Sequence, residues 1–255
     1  MDKKEVVFRF KRFNMNHGLS SMRIGVDAVL LGAWCDVRNT SSVLDVGTGC
    51  GVIALMIAQR LPYGEIEGIE IDLPSVEEAS KNFASSLWKD RCHVSHIDFL
   101  TYVKTYKDSD RTENHKNEID LIVSNPPYFD SGVKTYSTSR LLARHQGSEL
   151  SPTVLLREGA RILSCRGRIA IIVPKDVGDK LENEVTSYGL MIIRKCYVRG
   201  HDKAPYKRVL MEFGRYENCR NEIPNTIVSY LTLEEKPGTP TEDYRELCKE
   251  FYLKF

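Results

Sequence analysis

Short apolar runs alternate along this chain with amphipathic stretches whose apolar residues recur at helical spacing. The run Ser42-Val43-Leu44-Asp45-Val46 predicts a buried strand, a glycine turn follows, and from Val52 to about Arg60 the spacing predicts a helix. A second strand ends in Gly68-Ile69-Glu70-Ile71-Asp72. The next helix begins near Pro74, with Asp72 suited to cap it. Residues 92–97 read as a short strand, and Ile119-Asp120-Leu121-Ile122-Val123-Ser124, apolar and β-branched, as a buried one. Ser151-Pro152 opens a helix by cap and first-turn proline, running to about Leu163, and residues 167–173 predict a buried strand that stops at Pro174. A helix over 176–188 and strands over 191–198 and 208–213 follow. Two polar stretches interrupt the rhythm: 104–118, expected as a mobile surface loop, and 234–240, expected as a linker. The aromatic-rich segment 241–255 is expected to dock its apolar face on the domain.

The candidate chemistry sits where predicted strands end, which is where ligands bind in open parallel sheets. Asn125-Pro126-Pro127-Tyr128 follows the Ile119–Ser124 strand. Its two prolines stiffen the backbone and remove N–H groups, so the turn presents acceptors rather than donors. The Asn125 carboxamide oxygen and a neighbouring carbonyl, that of Pro126, suit the two N–H donors of a planar amino group. Tyr128 adds a ring on which a base could stack. The glycine turn carries Gly47, Gly49 and Gly51, a G-x-G-x-G spacing that differs from the dinucleotide fingerprint G-x-G-x-x-G and disfavours a pyrophosphate. Asp45 beside it would repel phosphate and welcome an ammonium group. Glu70, about twenty residues on, is placed to accept two ribose hydroxyls. Asp98 could accept an exocyclic adenine amine while Phe99 packs on the ring. Taken in order, these contacts fit S-adenosylmethionine and then a target amine.

Composition narrows the class. The 255 residues suffice for one α/β domain with ample apolar content for a core. No apolar run approaches membrane-spanning length, and no signal peptide is expected at Met1-Asp2-Lys3-Lys4-Glu5. The seven cysteines are scattered and never spaced C-x-x-C, so they read as free thiols of a reducing cytoplasm. His93 and His96 would face opposite sides of a strand, and no metal is expected. The net charge of +1 announces no global basic field, but local clusters exist. They are Lys3, Lys4, Arg9, Lys11 and Arg12; Arg140, Arg144 and His145; and Arg199, His201, Lys203, Lys207 and Arg208.

With these motifs in place the chain resembles the class I S-adenosylmethionine-dependent methyltransferases of the amino-methylating N-P-P-Y type. More closely it resembles the bacterial tRNA1(Val) adenine N6-methyltransferase family. The resemblance is carried by the glycine turn, N-P-P-Y, Phe8-Arg9-Phe10-Lys11-Arg12-Phe13, the stretch Met22 to Trp34, Ala143-Arg144-His145 and the end of the chain from Tyr244 to Phe255. It implies a Rossmann-like three-layer sandwich with a mostly parallel seven-stranded sheet, whose last strand is antiparallel. It implies a single domain over 1–255, with residues 1–40 covering substrate or cofactor. It also implies N6-methylation of the adenine just 3′ of the anticodon in tRNA(Val), by direct transfer from S-adenosylmethionine in a cytoplasmic monomer. Asn125, Pro126 and Tyr128 would act on the target, and Asp45, Gly47, Gly49, Gly51, Glu70, Asp98 and Phe99 on the cofactor. Phe129, Arg9, Lys11, Arg144, His145 and Lys207 would meet the RNA. A glutamine N5-methyltransferase of release factors, or an rRNA or DNA amino-methyltransferase, would share the N-P-P-Y chemistry.

Overall fold

The computed structural model describes residues 7–20, 24–109, 119–126, 150–215 and 225–255. The chain begins with a small hairpin, β1 (Val7–Arg9) and β2 (Asn14–Asn16), and a helix, α1 (Val26–Trp34). Alternating strands and helices follow: β3 (Ser42–Val46), α2 (Val52–Arg60), β4 (Glu65–Glu70), α3 (Leu73–Ala84), β5 (Cys92–His96) and α4 (Phe99–Ser109). Next come β6 (Ile119–Ser124), α5 (Pro152–Gly159), β7 (Leu163–Pro174) and α6 (Lys175–Glu184), which a 3-10 turn, Val185–Tyr188, extends. The chain ends with β8 (Leu190–His201), β9 (Arg208–Arg215), β10 (Ile227–Lys236), β11 (Thr239–Pro240) and α7 (Glu242–Cys248).

Among the described residues one nine-stranded sheet takes the order β11-β10-β8-β9-β7-β6-β3-β4-β5. Strands β3 to β7 are mutually parallel, and β9 runs antiparallel to both β7 and β8. The predicted antiparallel final pair and the mostly parallel α/β class are therefore present. The strand order reverses at β3, which lies between β4 and β6, so the crevice for a ligand opens at the carboxyl ends of these three strands.

Alternate residues of each central strand feed two separate cores. In β7, Ala170 and Ile172 join one with α1 and α2, while Ile169, Ile171 and Val173 join the other with α5. That double burial is why β6 and β7 read as nearly continuous apolar runs.

Two expectations change. Among the described residues the seven expected strands become nine: β10, which was not expected, and β11, because 234–240 is not a linker, and Glu234 and Lys236 end β10 and pair with Pro240 and Thr239 of β11 across Pro237-Gly238. Pro237 presets one turn residue and Gly238, at φ 78°, takes the left-handed one, so a polar stretch closes a hairpin. The polar stretch 104–118 is also helical in its first residues, since α4 reaches Ser109. Phe99, Tyr102, Val103 and Tyr106 form an i, i+3, i+4, i+7 face, with Tyr102 and Tyr106 stacked at 5.8 Å. Residues 110–118 lie outside the described ones. Among the described residues no helix is long and apolar enough to cross a membrane.

The end of the chain packs on the beginning. Tyr244, Cys248 and Phe251 are buried in the core that holds Phe10 and Phe13, and Phe10 bridges to Tyr252. The Lys11 ammonium donates to the carbonyls of Lys249 and Phe255, the latter at 2.9 Å. Phe251→Ala should lower unfolding free energy by about 3–5 kcal/mol. Leu253→Ala, at an exposed position, should change it by less than about 0.5 kcal/mol, and urea denaturation of the two variants checks both.

Candidate active site

The joint between β3 and α2 carries three glycines in the left-handed region, Gly47 at φ 70°, Gly49 at 56° and Gly51 at 88°. Substitution there is strained. At Gly51 a Cβ would also lie 2.4 Å from the Phe83 ring, whereas at Gly49 it would meet nothing within 4 Å. The loop is therefore packed tightly at its helix end and open at its middle.

Buried carboxylates fasten it. Asp45 is 0% exposed; its Oδ2 accepts from the Thr48 hydroxyl at 2.7 Å and the Ala54 N–H at 3.2 Å, and its Oδ1 is buried without a partner. Burial pushes its carboxyl up to about 7, against the pull of the Thr48 and Ala54 donors towards the ionised form. The expectation that Asp45 meets an ammonium group directly is thus corrected. The side chain lies beneath the loop and acts through it.

Glu70 ends β4 and holds the loop from the side. Its Oε2 accepts from Gly49 N–H at 3.0 Å, and its Oε1 from the N–H groups of Ile71 at 2.8 Å and Asp72 at 3.0 Å. Burial raises its pKa, and the three backbone donors oppose the rise. A carboxylate has about four acceptor positions, so capacity for a hydroxyl remains. Asp72 caps α3 as expected, accepting from the Ser75 N–H at 3.2 Å and hydroxyl at 2.6 Å.

Asp98 follows β5 and accepts from Thr101 N–H at 3.0 Å in the first turn of α4. Phe99 corrects a second expectation: at 5% exposed its ring belongs to the core with Leu155 and Ile122, not to a ligand face.

Across the crevice, Ser124 is fully buried and donates its hydroxyl to the Val46 carbonyl at 2.7 Å, locking β6 to β3. Register then aligns the site. Asp45 pairs with Gly68 of β4 and Val123 of β6, so the neighbouring strands β4, β3 and β6 end at Glu70, just before Gly47 and just before Asn125 respectively. Asn125 is half-buried and Pro126 buried. Tyr128, Phe129, Arg144 and His145 lie outside the described residues.

Of the basic candidates, Arg9 and Lys207 are exposed. Lys11 is exposed too, and its ammonium already donates to the carbonyls of Lys249 and Phe255. The sequence reading missed Ser124, Glu78 and Asn82. Asn82 accepts from Asn16 N–H and donates to the carbonyls of Asn16 at 2.9 Å and Cys50 at 2.8 Å, while Glu78 accepts from the N–H groups of Leu19 and Ser20. Residues 16–20 are thereby pinned along α3 beside the glycine loop. The available signal was two polar residues at i, i+4 on the face of α3 that also carries Ala79 and Phe83.

Comparison with known proteins identifies this arrangement. The family model described as methyltransferase small domain matches residues 19–180. A Trichodesmium erythraeum protein named tRNA1(Val) (adenine(37)-N6)-methyltransferase is 36% identical over 97% of this chain and 98% of its own length. One of the same name from Bacteroides thetaiotaomicron is 37% identical over 96% and 97%. The chain belongs to this methyltransferase family. A Listeria monocytogenes structure described as a class I S-adenosylmethionine-dependent methyltransferase superposes with a TM-score of 0.55 at 15% identity, over 89% of this chain and 73% of that one, and shares the fold. The cofactor is S-adenosylmethionine. The residues present suit it: the middle of the loop is open where a Cβ at Gly49 would stand, and the Glu70 carboxylate borders that space. Among the described residues no cluster of His, Cys, Asp or Glu could hold a metal ion.

The buried carboxyl gives this methyltransferase a pH signature. Because the pKa of Asp45 is raised in the folded protein, ionising it costs stability as pH rises from the ordinary carboxylate range to about 7. Asp45→Asn keeps an acceptor for Thr48 without the charge. Its stability relative to the parent should grow between pH about 4 and about 7 and level off above, in urea titrations across that range.

Proposed function

We propose that the chain methylates N6 of adenine 37 in tRNA(Val), as its relatives' names state for them, and that it does so in the cytoplasm. The observation that supports the residue assignment is that Glu70, Gly47 and Asn125 stand at or just past the ends of the neighbouring strands β4, β3 and β6. This brings a carboxylate and an open glycine backbone to the same end of the sheet as the Asn125 amide. Glu70 would accept a ribose hydroxyl, the Gly47–Gly51 backbone would lie against the rest of the cofactor, and Asp98, one strand further, suits the adenine amine. When bound, S-adenosylmethionine supplies an electrophilic methyl group on a sulfonium.

The remaining work falls to this chain's own groups. The lone pair of an adenine amine is conjugated into the ring, so the nitrogen is a poor nucleophile. The Asn125 side-chain oxygen and the Pro126 carbonyl accept its two hydrogens, favour a more tetrahedral nitrogen and turn its lone pair out of the ring plane. Ser124, tied to Val46, fixes where that amide stands relative to the loop. Such fixed acceptors cost no reorganisation as charge develops, and holding two reactants together removes much of the entropic barrier. The sequence supplies Tyr128 and Phe129 immediately after, suited to stack on a base turned out of its helix or loop.

Asn125→Ala should lower turnover on tRNA by about 100- to 1000-fold while leaving S-adenosylmethionine affinity, measured by calorimetry, nearly unchanged. Glu70→Gln should do the reverse, weakening the cofactor first. Wild-type turnover in the first variant would remove Asn125 from the mechanism. Substrate identity is read by nucleoside mass spectrometry of unmodified tRNA(Val) treated with the purified enzyme. N6-methyladenine beside the anticodon is expected, and methylation of a release factor glutamine with none on tRNA would overturn the reading.

A further inference from the structure

The β8/β10 end of the sheet carries a group of rings and cations that neither the cofactor site nor the core accounts for. Parallel pairing sets Tyr230 of β10 opposite Tyr197 of β8, with Val228 opposite Lys195 and Thr232 opposite Arg199. Alternation puts these six side chains on one face. The intervening residues Cys196, Val198 and Leu231 point the other way into the core with Tyr244 and Cys248. Tyr197 and Tyr230 stack at 5.7 Å and 25°. Tyr206, from the connection between β8 and β9, closes against both, at 6.2 and 5.3 Å. Tyr230 is 61% exposed, and Val228 beside it is exposed too.

Cations ring these aromatics. Lys175 and Lys195 lie 5.8 and 5.3 Å from the Tyr197 ring, and Arg199 lies 5.1 Å from Tyr206. Each also has an acidic neighbour, Asp179, Glu182 and Asp202 respectively. Of these, the Lys175–Asp179 pair is exposed on both sides, and such a pair holds by about 0–1 kcal/mol, so it does not bar a phosphate. Lys203 and Lys207 extend the cluster, exposed and without an ion pair among the described residues.

Position ties this face to the active site. The rim is continuous, with Lys175 N–H donating to the Lys207 carbonyl and Lys207 N–H to that of Val198, both at 3.1 Å. It stands at the end of the sheet where β7 finishes and Asn125 follows β6. From β6 to β8 is three strand spacings and to β10 four, about 15–20 Å.

We propose that Tyr206 and Tyr230, backed by Tyr197, form a stacking platform for unpaired nucleotides of the substrate RNA that flank the target base, with Lys203 and Lys207 on their phosphates. The proposal rests on the tRNA reading above and adds a second contact to it. An exposed ring, Tyr230, backed by the half-buried Tyr206 and Tyr197 and edged by cations, is the kind of arrangement by which proteins bind single-stranded bases without strong sequence preference. An apolar protein surface would match the rings and Val228 but leave Lys203 and Lys207 unanswered. RNA uses both.

Fluorescence anisotropy of labelled, unmodified tRNA(Val) with the full-length enzyme tests this. Tyr230→Ala and Tyr206→Ala should each weaken binding by about five- to 150-fold, and Tyr230→Phe should retain it. Lys203→Ala should lower the slope of log affinity against log salt by about one. Calorimetry with S-adenosylmethionine serves as the folding check, and affinity there should be unchanged in all variants. If the wild type methylates tRNA while both alanine variants bind it equally well, the platform is overturned and the proposed function stands. If the wild type neither binds nor methylates tRNA, both fall. A change in self-association by sedimentation, without loss of RNA affinity, would assign the face to a protein contact and also overturn the platform.

Discussion

The rest of the structure depends on how the backbone turns from β3 into α2 without leaving buried donors unpaired. Positive φ at Gly47, Gly49 and Gly51 lets the chain reverse within a few residues. The N–H groups this frees need acceptors. Ile69 O takes those of Gly47 and Thr48, Glu70 takes that of Gly49, and Thr48 O takes that of Gly51, while Asp45 draws Thr48 and Ala54 down from below. Two carboxylates are thus buried by a backbone that requires them. Each is raised in pKa by desolvation and steadied by the N–H and O–H groups it serves. The loop's middle stays open while both its ends are tied.

From that joint the architecture spreads by register. Ser124 bonded to Val46 fixes β6 against β3, and the parallel ladders carry the alignment outward to β4 and β7. Far from the site, the ladder between β7, β9 and β8 buries Glu212 between Arg168 and Arg194, with Arg194 also lying over Trp34 at 3.8 Å. Burial raises the Glu212 pKa and the two guanidinium groups oppose it. Such a group is a poor source of net stability but disfavours alternatives that would leave one charge unpaired. It fits the requirement that a sheet with two buried faces keep a single register.

The near-neutral charge of the chain conceals a division of labour. Many of its arginines serve the fold: Arg91 donates to the carbonyls of Ala58, Leu61 and Gly64, Arg208 pairs with Asp27, and Arg215 holds Ala160 and Leu163. Lys11, in a basic cluster that reads as an RNA contact, does the same for the chain end. Net charge therefore says little here about a nucleic-acid partner. What matters is which cations stay exposed on the rim that carries Asn125 and Glu70, and the residues around Tyr206 and Tyr230 are among them.

The local chemistry of the site was legible in the sequence because it depends on covalently adjacent residues. Glycines at fixed spacing, Asp72 before a helix and Asn125-Pro126 after an apolar strand can each be recognised where they stand. The identity of the central strands, β3 to β9, and of most helices between them followed from periodicity for the same reason, whereas β10 did not. Contacts set by distant segments were not legible. That the Phe99 ring turns into the core, that Asp45 lies under its loop and that Lys11 reaches the chain end each depend on which elements pack together. The linker that became β11 shows the same limit, since Pro237-Gly238 reads as a turn but only the edge of β10 makes it a hairpin. Sequence fixes which groups can donate, accept or stack. Tertiary structure alone decides which partner each one meets, because burial and register bring together residues far apart in the chain, as with Ser124 and Val46.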